Sequence, residues 1–147
     1  MPAERAAAAA VPFDSIIDLA SRLVSIPSRA GIDAVEPILD AASGWLEQQG
    51  LAPARLRDAQ GCPVALLVRI DGRAPGPAIC LNACLDTAPF GDESRWRTSP
   101  SAGLVAGGKL WGRGAADSKM GVSILAHVAR FLATSPELRR GTVYVLF

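Results

Sequence analysis

Little in this chain commits it to an extreme environment. Its three cysteines, Cys62, Cys80 and Cys84, are an odd number with no C-x-x-C pair. That argues against a disulfide framework and for reduced thiols. The net charge is only +1, so there is no basic field to hold nucleic acid and no acidic tail. The one adjacent basic pair, Arg139-Arg140, falls near a predicted helix end, where cations complement the helix dipole. No apolar run approaches the roughly 18 residues of a membrane span. A secretory leader takes an apolar region of about 7–15 residues. The alanine run Ala6–Ala10 is shorter, only weakly apolar, and flanked by Glu4 and Asp14. The expectation is a soluble cytoplasmic protein that partners neither nucleic acid nor membrane. Histidine is nearly absent: the only one, His127, lies mid-helix in the pattern, where packing or a surface position is its expected role.

What remains is ordinary core material. Half of the 147 residues are apolar and 20% are charged, enough for one folded domain and against disorder. Residues 1–12 read as a loose tail. A helix starts near Asp14 or Ser15, carries Ile16, Leu19, Ala20, Leu23 and Val24 at helical spacing, and stops at Pro27. A second covers Ala34–Gln49, with Pro37 in its first turn and Gly50 as its stop. Leu51–Arg57 alternates like an edge strand, although Pro53 weakens it. Pro63–Ile70 and Ala78–Ala83 read as strands, the latter buried on both faces. Asp86–Ala102 is a long polar loop, of the length that is usually functional. Leu104–Ala106 and Lys109–Trp111 flank Gly107-Gly108 as a small hairpin. Lys119–Thr134 is an amphipathic helix closed by Pro136 and Gly141, and Thr142–Phe147 is a buried-type strand. Helices alternating with apolar strands imply an α/β layer fold with a mostly parallel mixed sheet.

The stretch that organises the rest is Leu110–Gly121, L-W-G-R-G-A-A-D-S-K-M-G. Glycines let backbone approach closely, and Asp117 sits in that turn at the mouth of a helix. Cys84 and Asp86 lie at the carboxyl end of the Ala78–Ala83 strand, where open α/β sheets collect ligands. A period of two puts both side chains on one side. A thiolate and a carboxylate are both possible zinc ligands, yet a catalytic zinc takes about three protein ligands plus water. Each residue has a plainer role. Cys84 reads as a small buried hydrophobe, Asp86 as a turn former, and Asp117 as a cap on the following helix. Gly112-Arg113-Gly114 is not G-x-G-x-x-G, because residue 117 is Asp, and it is not a P-loop. A phosphate-binding reading of it needs a buried parallel strand directly before the loop.

Taken in order, Leu23–Ser28, Trp45-Leu46 ahead of Gly50, Leu81–Pro89, Trp96 followed by Pro100, and Gly107–Gly121 resemble the amino-terminal part of the M20 metallopeptidase family. That family includes acetylornithine deacetylase, succinyl-diaminopimelate desuccinylase, carboxypeptidase G2 and aminoacylase-type enzymes. The resemblance implies a three-layer αβα, zinc-exopeptidase-like fold, incomplete here, with residues 13–147 forming the front of a catalytic domain. It implies two zinc ions, with cobalt or manganese as substitutes. It makes Asp117 the carboxylate bridging them and Asp86 the catalytic-site acid that orients a neighbouring ligand. Cys84 stands where the family has its metal-binding histidine, so it is either a thiolate ligand or a sign that metal has been lost. The implied activity is hydrolysis of amide bonds in N-acyl amino acids or small peptides by a homodimer. The family's later glutamate pair, further acidic ligand, final histidine and lid domain have no counterpart up to Phe147. The expectation is therefore a partial chain, inactive alone. The competing expectation is a non-catalytic remnant on the same scaffold.

Overall fold

The computed structural model describes residues 13–135 and 140–147. The expected tail, the Pro136 break and Arg139 lie outside the described residues. Helix α1 is Phe13–Val24 and buries Leu19, Ala20, Leu23 and Val24, the stripe that its spacing predicted. Helix α2 is Glu36–Gln48, with Pro37 in its first turn. Its end closes as Gly50 takes φ 78°, while Gly50 N–H donates to Glu47 O (2.9 Å) and Leu51 N–H to Leu46 O (3.0 Å). Only a residue free of Cβ strain adopts that left-handed step readily, and it satisfies carbonyls that the helix end would leave orphaned.

Strands β1 (Ala54–Arg57), β2 (Pro63–Asp71) and β3 (Ala78–Asn82) follow. A hairpin of β4 (Leu104–Ala106) and β5 (Lys109–Trp111) then leads to helix α3 (Met120–Thr134) and β6 (Thr142–Leu146). The main sheet runs β1-β2-β6-β3. Pairing is mixed: β1–β2 and β2–β6 are antiparallel, while β3–β6 is parallel. The parallel pair is joined by the long crossover that carries α3, as such a pair requires. The hairpin is as expected, with Gly107 and Gly108 at φ 59° and 71°, both in the region that a two-residue turn demands.

Burial falls on one face of the sheet. Along β2, Leu66, Val68 and Ile70 are buried, while the alternate residues Arg69 and Asp71 are exposed. Val68 is opposite Val145, and Val145 is opposite Leu81. These side chains share one core with Leu19, Leu23, Ile38, Leu39, Leu46, Val122 and Ala126 from the three helices. The other face, which carries Leu67, Tyr144 and Cys80, has no helix against it among the described residues. Two strands accordingly depart from expectation. Ala78–Asn82 is mostly exposed rather than buried on both faces, because it is the edge of the described sheet and is covered on one side only. Thr142–Leu146 is central but half-buried for the same one-sided reason.

His127 is 2% exposed. Its Nδ1 lies 2.7 Å from Ser123 O and its Nε2 lies 2.9 Å from Ser15 Oγ. The ring also packs against Trp45, with centroids 4.5 Å apart. With both nitrogens engaged, it is a satisfied core histidine joining α1, α2 and α3.

One-sided burial makes a direct prediction. Leu66→Ala should lose about 2–5 kcal/mol, the cost of a core cavity. Leu67→Ala, one residue on and facing the other way, should lose about 1 kcal/mol. Urea denaturation of the two variants checks the difference, and equal losses would contradict the one-sided core.

Candidate functional site

The strand end is held by the chain that follows α1. Beyond Asn82 the alternation continues: Ala83, Leu85 and Thr87 are buried, while Cys84 and Asp86 are exposed. Pro27 keeps the preceding residue extended, and Ser28–Ala30 runs beside the strand end. Ser28 Oγ donates to Leu85 O (2.7 Å). Thr87 N–H donates to Ser28 O (2.9 Å), and Ala30 N–H donates to Thr87 O (3.1 Å). The backbone under Cys84 and Asp86 is thereby fixed, and both side chains are left outward. Cys84 is a free, exposed thiol, which removes the buried-hydrophobe reading. Asp86 makes no turn hydrogen bond either: its carboxylate has no partner among the described residues.

The glycine loop packs onto the same frame. Gly112 has φ 148°, and a Cβ there would fall 2.3 Å from Val24 Cγ1 and 3.0 Å from Pro100 O. At Gly114, φ 80°, a Cβ would fall 2.4 Å from Thr87 Cγ2. The two glycines are what lets the loop touch both α1 and the strand end. Arg113 N–H donates to Pro100 O (2.6 Å). Residues Ala115–Lys119 form one wide turn in which Asp117 and Ser118 leave helical conformation, and the peptide between them is cis. Lys119 N–H closes the turn onto Gly114 O (2.9 Å). The Asp117 side chain is exposed and caps nothing, since α3 begins without a side-chain cap. The loop follows β5 of the small hairpin, so the context that a phosphate loop needs is missing.

Ser118 joins the two parts. Its Oγ accepts from Cys84 N–H (2.8 Å) and donates to Cys84 O (3.0 Å). One hydroxyl thus occupies both backbone groups of the residue beside the strand end, and the next residue toward the loop is Asp117. A cleft of about 340 Å3 opens at the carboxyl ends of β3 and β6, with Cys84, Asp86, Arg29, Asp33, Val35 and Phe147 among its walls. Arg29 is bidentate on Asp33 (2.8 and 2.7 Å), and its own backbone N–H adds a third bond at 2.7 Å. These bonds, the side-chain pair first, hold the Asp33 carboxyl down to about 2. The guanidinium also lies 4.4 Å from the centroid of Phe90, so this pair is a fixed rim rather than a free acid and base.

Lys119 is 1% exposed. Its Nζ donates to Leu23 O (2.9 Å) and Ile26 O (2.7 Å), the terminal carbonyls of α1 and its extension. Burial pushes the amine down to about 8, against a smaller opposing pull from Asp33. Neither Ser118, Lys119 nor the Arg29–Asp33 pair was singled out from sequence. For Lys119 a signal existed: a cation in the first turn of a helix opposes the dipole, so its presence there asks for a compensating role.

A thiolate and carboxylates suit zinc chemically, but here they are not gathered into one group. The described residues hold no group of three or more His, Cys, Asp and Glu side chains that could grip an ion, against about three for a catalytic centre. By themselves they do not complete a metal site.

The Lys119 amine makes stability depend on pH. Its folded value, about 8, is below its ordinary 10.5, so between the two the unfolded chain binds more protons and stability rises with pH. Below about 8 both forms are charged, and the cost of burial stands in full. Comparing wild type with Lys119→Met by urea denaturation, the difference should move in favour of wild type as pH rises through that window. Parallel pH profiles would contradict it.

The sequence model of peptidase family M20/M25/M40 matches residues 80–147. A succinyl-diaminopimelate desuccinylase of Maricaulis maris is 36% identical over 119 residues, covering 80% of this chain and 29% of the relative. Another, from Psychrobacter arcticus, is 42% identical over 62 residues, covering 42% of this chain and 15% of the relative. The chain thus spans less than a third of the length of these curated relatives. Among solved structures, the M20 family metallo-carboxypeptidase Sso-CP2 of Sulfolobus solfataricus superposes with a TM-score of 0.77 at 16% identity, over 90% of this chain and 30% of that one. The YXEP protein of Bacillus subtilis, described as a dinuclear metal binding peptidase, gives 0.62 at 22% identity, over 90% and 34%. At such identities these two structures speak for the fold alone. The pattern over residues 80–147, the desuccinylase relatives and the shared α/β fold agree in supporting a fragment of the M20 family of peptidases and deacylases.

Proposed function

We propose that this chain contributes the first ligands of a two-zinc amide hydrolase acting on N-acyl amino acids or small peptides. Asp117 is the bridging carboxylate, Cys84 a thiolate ligand, and Asp86 the acid that orients the ligand beside it. The succinyl amides named in the relatives are one such substrate class. The observation that carries the reading is the Ser118 clasp. It laces the Cys84 backbone to the residue after Asp117, in a frame where neither the Asp86 nor the Asp117 carboxylate has a hydrogen-bond partner among the described residues. Zinc, held by these residues with the remaining ligands, would supply Lewis-acid polarisation and an activated water. The remaining ligands and the general base are not among the described side chains, so residues 13–147 are inactive by themselves. Three exposed free thiols suit a reducing, cytoplasmic setting.

A second reading has one observation behind it. Cys84 stands beside Asp86 where the family resemblance places a metal-binding imidazole. A scaffold that has lost its metals no longer needs that imidazole and accepts a small thiol in its place.

Elemental analysis of a full-length protein that carries these residues together with the remaining ligands separates the two. The hydrolase reading expects bound zinc, its loss in Asp117→Asn, and zinc content and N-acyl amino acid hydrolysis retained or raised in Cys84→His. Two zinc ions retained in Asp117→Asn would remove the bridging role. Zinc absent from wild type and Cys84→His alike would leave the remnant reading standing.

A further inference from the structure

A second pocket lies away from the strand end, between the long loop and the hairpin. Its walls are Arg95, Trp96, Arg97, Thr98, Trp111 and Gly112, and its volume is about 240 Å3. Both tryptophans are anchored by their own N–H groups: Trp96 Nε1 donates to Phe90 O (2.8 Å) and Trp111 Nε1 donates to Ala106 O (3.3 Å). The indole faces are therefore fixed walls. Cations gather around them. The Arg113 guanidinium is 5.2 Å from the Trp96 ring centroid, and the Lys109 amine is 5.9 Å from that of Trp111. Arg113 Nε is buried with no hydrogen-bond partner.

The charges here are not balanced locally. The ion pairs of the described residues are Arg29–Asp33, Arg55–Asp40 and Arg69–Asp71. Arg95, Arg97, Arg113 and Lys109 have none. Of the two acids in the same loop, Asp92 is occupied by Ser94, accepting from its N–H (3.0 Å) and its hydroxyl (2.7 Å). Glu93 has no ion pair among the described residues, and its charge is felt at Arg29. Arg95 and Arg97 line the pocket together with the two indoles and without an acid in its walls, which makes a site for an anion that has a flat apolar body. Guanidinium groups match the two oxygens of a carboxylate, and indole faces take the rest. The volume exceeds the roughly 150 Å3 known to admit benzene.

We propose that the Arg95–Arg97 and Trp96–Trp111 pocket binds a small organic carboxylate, its carboxyl group on the arginines and its apolar body on the indoles. This site uses no metal and stands or falls independently of the hydrolase reading. Arginine stays charged across the usable pH range, so binding should be insensitive to pH between 6 and 9 as judged by ~constant affinity. Each exposed pair is individually weak, so the site should be selective rather than tight.

The test follows the three tryptophan indole N–H resonances in the full chain, labelled with nitrogen-15, during titration with benzoate, acetate, inorganic phosphate and chloride at constant ionic strength. Trp45, packed on His127, is the internal control. The expected result is a saturable shift of Trp96 and Trp111 but not of Trp45, with benzoate binding about fivefold or more tightly than acetate. Arg95→Gln with Arg97→Gln should weaken benzoate about tenfold. Both are exposed side chains, and an unchanged thermal unfolding midpoint verifies the fold of the double variant. No saturation with benzoate, shifts equal to those from chloride, or an unchanged affinity in the folded double variant would each overturn the site. Phosphate binding more tightly than benzoate would overturn the assignment to an organic carboxylate.

Discussion

The loop that carries Asp117 is positioned by a buried amine reaching across the core. Lys119 sits at the head of α3, and its Nζ bonds carbonyls at the far end of α1. Leu23 O also accepts from Ile26 N–H (3.2 Å), and for Ile26 O, beyond the helix end, the amine supplies a donor; a buried carbonyl left without one costs on the order of 1–3 kcal/mol. The amine, in turn, could not be buried at 1% exposure without them. Each side satisfies the other, and the bond fixes where α3 begins. The two residues before it are Asp117 and Ser118, so that placement fixes the loop as well. Ser118 then captures both backbone groups of Cys84. Two consecutive residues, Ser118 and Lys119, thus tie a helix end, a strand end and a glycine turn into one unit. The turn can come that close only because Gly112 and Gly114 leave the space that a Cβ would fill beside Val24 and Thr87.

The consequence is a division of labour between backbone and side chain. Around the cleft, backbone groups are bonded: Ser28, Ala30, Leu85, Thr87 and Cys84 all have partners. The side chains of Cys84, Asp86 and Asp117 are exposed. A site meant only for stability would use its carboxylates as caps or ion pairs, as Asp33 is used by Arg29. Here the acids nearest the clasp are withheld from such bonds while their backbone is held still. Rigid support under free donors is the arrangement that ligand capture favours, because ordering costs are met before the ligand arrives.

Some of this was legible in the sequence, and the reason is locality. The period of two at Cys84 and Asp86, the stop at Gly50 and the turn at Gly107-Gly108 are set by neighbours within a few residues, and the structure follows them. The glycine loop was legible as a close approach, though not what it approaches: Val24 and Thr87 are distant in sequence. What needed the fold was long-range. Lys119 meets Leu23 across 96 residues, and Ser118 meets Cys84 across 34. Nothing in composition pairs them. The burial expected for Ala78–Ala83 failed for a related reason. Apolar content says that a strand has core-compatible residues, but whether it lies at an edge is decided by the order β1-β2-β6-β3. Cys84 is exposed rather than buried because the alternation that continues past Asn82 puts Ala83, Leu85 and Thr87 inward and turns Cys84 outward.

The charge arrangement at the strand end gives the cysteine its meaning. The two cations nearest in the frame are already used: Arg29 is bidentate on Asp33, and Lys119 is turned inward to α1. Neither neutralises Asp86 or Asp117. An imidazole at position 84 would leave that balance unchanged, whereas a thiolate would add a third negative group. Cysteine binds a metal as its thiolate, so a dication held by the sulfur displaces the proton as it binds. The cysteine is therefore not a neutral replacement for histidine in either direction. It makes the bare strand end a thiol beside unpaired acids, and it makes a metal-loaded strand end more strongly anionic, and so more dependent on its metal, than imidazole would.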